Sequence, residues 1–239
     1  MRLLLILTSL LLSMSGLKAD DMPTNGHQIH YIGFNSLKAD NKPAHDKAFR
    51  DYIHALTPIM AKHGLTLQVF KVAHQSADQK VDYISFGTAP DQATFQKFFT
   101  DPAFHAIFPA LVGALDHHFV TFTDGPFMPK AHAKGHQLLS VSWLNDPADA
   151  SLKAVEKLLE SGEAIWARHN TQAIIMRHGV MASTGLADDV EMVAAPNLVE
   201  IWEVGDAHGL FDDPDFTKLE KAVKTHVQEA RSYWLEPMK

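Results

Sequence analysis

The stretch FFTDPAFHAIFPAL, residues 99–112, is echoed by LFDDPDFTKLEKAV, residues 210–223. Both carry Phe-x-Asp-Pro-x-Phe: Phe99, Asp101, Pro102 and Phe104 in one, Phe211, Asp213, Pro214 and Phe216 in the other. A second pair of landmarks, GHQIHYIGFN (26–35) and GHQLLSVSWLN (135–145), is offset by 109 residues, against 112 for the first pair. Two nearly equal offsets are the mark of internal duplication. Locally, Asp101 and Asp213 are expected to be N-caps whose oxygens accept orphan amides, with Pro102 and Pro214 in the first helical turn. Apolar stripes follow at helical spacing, through Phe104, Ile107, Phe108, Leu111 and Val112, and through Phe216, Leu219, Val223 and Val227.

Working outward, the first half reads as a strand at 27–35 and a helix at 44–62 with Phe49, Tyr52, Ile53, Leu56, Ile59 and Met60 on one stripe. Gly64 is expected to close that helix in the left-handed conformation. Strands at 65–72 and 81–87, a helix containing the motif and a strand at 119–123 complete the order βαββαβ. The second half repeats it: a strand at 137–144, a helix opened by Asp146 and Pro147 and interrupted at Gly162, a helical piece at 164–169, strands at 171–177 and 197–204, a helix from Asp213, and a strand near Tyr233 to Leu235. Residues 178–196 are expected to form a hairpin extension or a lid.

The expected class is therefore α+β, with two tandem ferredoxin-like βαββαβ modules at 26–123 and 136–237, joined by a linker at 124–135. Strands such as LTLQVF and LLSVSW are apolar on both parities. The sheet face away from the helices then needs a cover, and the other module supplies it: two sheets packed face to face, an internal dimeric α+β barrel. A domain-swapped pair of chains and a further homo-oligomer both stay open.

Composition narrows the function classes. Arg2, the apolar run Leu3–Leu12 and the small residues from Ser13 to Ala19 read as a signal peptide, residues 1–19. The run is about half the roughly 20 residues a membrane span needs. The mature chain is expected to be periplasmic or secreted, and not held in a membrane. With no cysteine there is neither a disulfide nor thiol chemistry. A net charge of −7 without a basic cluster argues against nucleic acid as a partner.

YISFGTAPD, FFTDPAF and FVTFTD, with LVEIWEVGDAHGLFDDPDF in the second half, resemble the dimeric α+β barrel superfamily, especially its NIPSNAP-like and related small members. The resemblance covers nearly all of the mature chain. It implies the barrel fold and leaves chemistry open, because the superfamily includes monooxygenases, haem-degrading enzymes and EthD-like proteins.

Fifteen histidines raise the question of metal or haem. His132 and His136 fall in the linker region, and the adjacent His117 and His118 cannot both face one ion from a regular element; both pairs are expected to be solvated. No metal site and no specific cofactor is indicated. Along the first strand His30, Ile32 and Phe34 share one face, and their repeat partners Leu139, Val141 and Trp143 are all apolar, so this face is expected to pack on the helices. Tyr31 and Gly33, matched by Ser140 and Ser142, occupy the other face, where small residues leave a ligand cavity or let sheets approach closely. His30 is a core histidine or, beside Tyr83, His54 and Arg50, an acid/base or haem-ligand candidate. The catalytic candidates are thus His30, Tyr31, His54 and Tyr83. His169, His178 and Trp202, with Trp166 and Glu200 nearby, are the cofactor-binding candidates. The leading expectation is an exported small-ligand-binding protein. The alternatives are a cofactor-independent or haem-linked monooxygenase-like enzyme acting on a small apolar or aromatic substrate, and a protein-interaction module.

Overall fold

Phe49, Tyr52, Ile53, Leu56 and Met60, recurring every three or four residues, bury one face of a long helix, α1 (Lys42–Lys62), and the rest of its surface is polar. The structure is a computed structural model that describes residues 28–76, 80–129, 136–146, 149–186 and 189–238. The signal-peptide reading, His132 and Pro147 lie outside the described residues. The described chain separates into two compact units. The first takes residues up to Val69, Val81–Met128 and Met181–Ala194; the second takes Phe70–Lys80, Pro129–Val180 and Ala195–Lys239.

The first unit contains β1 (Ile29–Leu37), α1, the start of β2 (Thr66–Gln75), β3 (Tyr83–Ala89), α2 (Gln92–Phe99), α3 (Pro102–Ala114) and β4 (Leu115–Thr123). The strand order β2-β3-β1-β4 is that of the ferredoxin-like split βαβ unit. Beside β4 lies a hairpin of β7 (Gly179–Thr184) and β8 (Glu191–Val193), paired antiparallel. Residues 178–196 thus take the hairpin alternative.

The second unit contains β5 (His136–Leu144), α4 (Asp149–Ser161), α5 (Glu163–Arg168), β6 (Thr171–Arg177), β9 (Leu198–Val204), α6 (Ala207–Asp212), α7 (Pro214–Lys224) and β10 (Val227–Pro237). Its strand order is β6-β9-β5-β10, and β10 also pairs with Phe70–Gln75. The molecule is α+β, with extended antiparallel sheet.

The opening motif is a corner between two helices rather than the inside of one. α2 ends at Phe99, Asp101 Oδ1 accepts the amide of Ala103 at 2.8 Å, and Pro102 starts α3. The second copy does the same: α6 ends at Asp212, and Asp213 Oδ1 accepts the amide of Asp215 at 2.7 Å. The stripe expected to run on to Val227 stops earlier, because α7 ends at Lys224 and Val227 already starts β10.

Each corner is tied to the end of the preceding long helical segment. α1 closes with Gly64 at φ +70°, Gly64 N donating to Ala61 O and Leu65 N to Met60 O, the paired bonds of a Schellman cap. The cap leaves His63 reaching Asp101 Oδ2 at 2.7 Å, with Lys62 at 2.9 Å. In the second unit Asn170, at φ +48°, takes the glycine's place. His169 then reaches Asp213 Oδ2 at 2.8 Å and Arg168 reaches it at 2.8 Å. A basic residue, a histidine and a left-handed residue therefore recur as Lys62-His63-Gly64 and Arg168-His169-Asn170.

Candidate functional site

In each unit a cavity lies between the sheet and its own helices. The first, of about 170 Å³, is lined by Tyr31, Asn35 and Ser85 from the sheet and by Tyr52, Leu56 and Phe98 among helical residues. The second, of about 590 Å³, is lined by Ser140, Ser142, Glu200 and Ser232 from the sheet and by Leu159, Trp166 and Leu219 from the helices. The helix-facing side of β1 is therefore the one bearing Tyr31, Gly33 and Asn35. The expected parity is reversed, and His30, Ile32 and Phe34 occupy the other face. Both faces are apolar enough to be buried, so hydrophobicity could not tell them apart: Ile32 is 0% exposed and Phe34 4%.

Strand register explains why one cavity is small and the other large. Tyr31 pairs with Gly87 on one side and Phe122 on the other. Its ring fills the space above Gly87, where a Cβ would stand 2.0 Å from Tyr31 Cζ. At the matching place in the second unit Ser140 pairs with Glu200 and Ser232. Two aromatic rings are exchanged for two serines, and the space released holds a carboxyl group.

Glu200 is 5% exposed, and its Oε1 has no hydrogen-bond partner among the described residues. Burial pushes its carboxyl up to about 8, with a hydrogen bond from Trp202 acting the other way. At neutral pH it is predominantly a neutral acid, able to donate a hydrogen bond. Around it stand Trp166, Trp202 and Trp234; the Trp166 and Trp202 rings lie 5.0 Å apart, and Trp166 Nε1 donates to Leu159 O at 2.9 Å.

The sequence candidates are dispersed. Tyr31 lines the smaller cavity, where burial raises its hydroxyl well above the ordinary range. Tyr83 does not meet His30 or His54. It stacks on Phe49 at 4.7 Å, and its hydroxyl donates to Asp46, which also pairs with Arg50 at 2.9 Å. His54 is exposed on α1, and His30 is buried on the face away from the helices. Of the second group, Trp202 lines the larger cavity, His169 is held by Asp213, and His178 lies between β6 and β7 with Nε2 3.7 Å from Glu156.

None of the sequence-predicted histidines is placed to ligate a haem in the larger cavity. His30 faces away from the cavities, His169 is committed through Nε2, and the imidazole that does line the larger cavity, His74, is exposed to solvent. Among the described residues no three His, Asp or Glu side chains gather as a metal site requires.

Two residues escaped the sequence reading. His118 is expected to be solvated beside His117, because two adjacent histidines cannot both face one ion, and the expected strand starts only at residue 119. β4 begins at Leu115 instead, which places His118 opposite Asn35 and in the lining of the smaller cavity, while His117 remains exposed. Asn35 follows Tyr31 and Gly33 on the same parity and was legible by continuing the alternation. Glu200 was placed near Trp202, but its burial was not foreseen; an acid alternating with Leu198, Trp202 and Val204 is the signal that carries it.

No protein-family model and no curated protein matches the sequence, so the NIPSNAP-like resemblance rests on its motifs alone. Among solved structures, an anthrone oxidase-like protein superposes with a TM-score of 0.50 at 12% identity, over 89% of this chain and 92% of that one. A Fusobacterium nucleatum protein provisionally assigned to the monooxygenases gives 0.49 at 11% identity, over 90% and 94%. One from Lactobacillus acidophilus, with the same provisional assignment, gives 0.44 at 13%, over 87% and 93%. At these identities the likeness is one of fold.

Proposed function

We propose that this protein binds a small, largely apolar aromatic molecule in the larger cavity, with neutral Glu200 donating a hydrogen bond to an acceptor such as a carbonyl. The observation that carries the reading is the cavity of about 590 Å³ enclosing a buried carboxyl group among three tryptophans. That volume falls within the range of roughly 300–1,000 Å³ typical of small-molecule sites, where a few polar groups set orientation inside an apolar wall. The other ionisable groups on the lining are Glu220 and Lys224 from α7 and His74 from β2. The repeated landmarks support a duplicated ancestor, and the apolar run Leu3–Leu12 supports export.

The test is a titration with N-phenyl-1-naphthylamine, whose emission rises in apolar sites. The expected result is saturable binding, displacement by 1-tetralone at lower concentration than by tetralin, and loss of that difference in Glu200→Leu. Ser232→Phe, which restores the ring found at Phe122, should abolish probe binding in a folded protein. Probe binding unchanged in Ser232→Phe would overturn the assignment.

The second reading is a cofactor-independent, monooxygenase-like enzyme using the same cavity. Its support is the fold shared with an anthrone oxidase-like protein and the presence of a group able to move a proton in an apolar chamber. Anthrone and O₂ would give anthraquinone and water. Oxygen uptake that is lost in Glu200→Gln supports catalysis; binding of 1-tetralone with no oxygen uptake from anthrone leaves the binding protein.

A further inference from the structure

We propose that the smaller cavity is a second, independent site, for a single-ring aromatic molecule carrying one hydrogen-bond donor, such as a phenol, with the donor taken by Nε2 of His118. The argument begins with Asn35. Its Nδ2 donates to the carbonyls of Gly33 and Tyr83, both at 3.2 Å, and carbonyls can only accept. The amide is therefore fixed in orientation, and Oδ1 is the atom turned to His118 Nδ1, 2.9 Å away. An amide oxygen accepts only, so Nδ1 carries the ring proton. Burial lowers the His118 imidazole to about 4, which leaves it neutral at pH 7. Its second nitrogen, Nε2, is then a lone-pair acceptor, and it has no hydrogen-bond partner among the described residues.

The ring lines the cavity, in a place kept open by Gly33, whose absent Cβ would stand 3.3 Å from His118 Cε1. Phe95, Phe98, Phe104 and Phe122 supply much of the remaining wall. Size sets the ligand class: the cavity measures about 170 Å³, and apolar cavities of about 150 Å³ are known to take benzene. The site differs from the larger cavity in sign as well as size, offering an acceptor where Glu200 offers a donor.

The experiment is calorimetric titration with phenol and with toluene, carried out in Ser232→Phe so that the larger cavity does not contribute. The expected result is phenol binding about tenfold tighter than toluene, equivalent to about 1.4 kcal/mol. In His118→Leu the preference should vanish while toluene still binds, which shows that the cavity is intact. Nitrogen-15 spectra of labelled histidine should show the Nδ1–H tautomer of His118, with its Nε2 signal moved by phenol and not by toluene. Equal affinity for the two ligands, a preference that survives His118→Leu, or binding of neither overturns the proposal. None of these outcomes bears on 1-tetralone binding by the unmodified protein, so the two sites stand or fall separately.

Discussion

His63 is bonded through Nε2 to Asp101, the same aspartate that caps α3, at 2.7 Å, and His169 holds Asp213 at the start of α7 in the same way at 2.8 Å. Each aspartate thus joins a helix start to the end of an earlier helix. The hydrogen bond from His169, the Asp215 amide and Arg168 hold the Asp213 carboxyl near 2, and Lys62, His63 and the Ala103 amide hold Asp101 well below its ordinary range. Depressed carboxyls bind fewer protons folded than unfolded, so their stabilisation is complete above the unfolded value of 3.8. For Asp213 it is lost as pH falls towards 2. Asp213→Asn should therefore flatten the fall in urea midpoint between pH 5 and pH 2. An identical acid profile for wild type and variant would refute this.

Gly87→Ala should destabilise by about 1–3 kcal/mol, because the added methyl meets the Tyr31 ring. The cost should disappear in a Tyr31→Ser background, which reproduces the space found beside Ser140. Denaturant unfolding of the four proteins in the cycle measures the coupling, and additive effects would show that the ring is not the obstacle.

Glu200 makes the opposite pH prediction. Its folded value, about 8, lies above the unfolded 4.5, so the folded protein binds more protons between those values and stability declines as pH rises through that window. The slope attributable to this one group is at most about 1.4 kcal/mol per pH unit. Glu200→Gln should remove the decline, as read from urea midpoints at pH 5, 6, 7 and 8; an unchanged slope would mean that the carboxyl is ionised in the fold.

Tyr83→Phe should cost about 1–3 kcal/mol through loss of the hydrogen bond to the Asp46 carboxylate. Phenol and 1-tetralone affinities should stay within a factor of about two, the mark of a structural tyrosine. A larger drop in either affinity, at preserved thermal stability, would return Tyr83 to the candidate site.

The helices and strands of the first half were legible, because the helical spacing in Phe49–Met60 is local and strong, whereas β7 and β8 interrupt the order expected of the second half. The Asp-Pro caps were legible as well, being signals of single residues. The face of β1 was not: His30-Ile32-Phe34 and Tyr31-Gly33-Asn35 are both buried, and alternation decides a face only when one side is wet. His118 was missed because adjacency argues only against a shared ion, whereas alternation along β4, which starts at Leu115, turns His118 to the cavity and leaves His117 exposed. The His63 and His169 bonds join residues 38 and 44 apart in sequence, and no periodicity reports such a meeting.

Met181, Ser183, Leu186, Val190 and Met192 wall the smaller cavity, although the rest of that unit is complete by Met128. During synthesis the ribosome releases β1 to β4 long before β7 and β8, so a nascent chain carries an unfinished phenylalanine-lined chamber until the hairpin arrives. A shortened chain ending at Met128 would keep that chamber open, with its phenylalanines uncovered on the side that the hairpin closes.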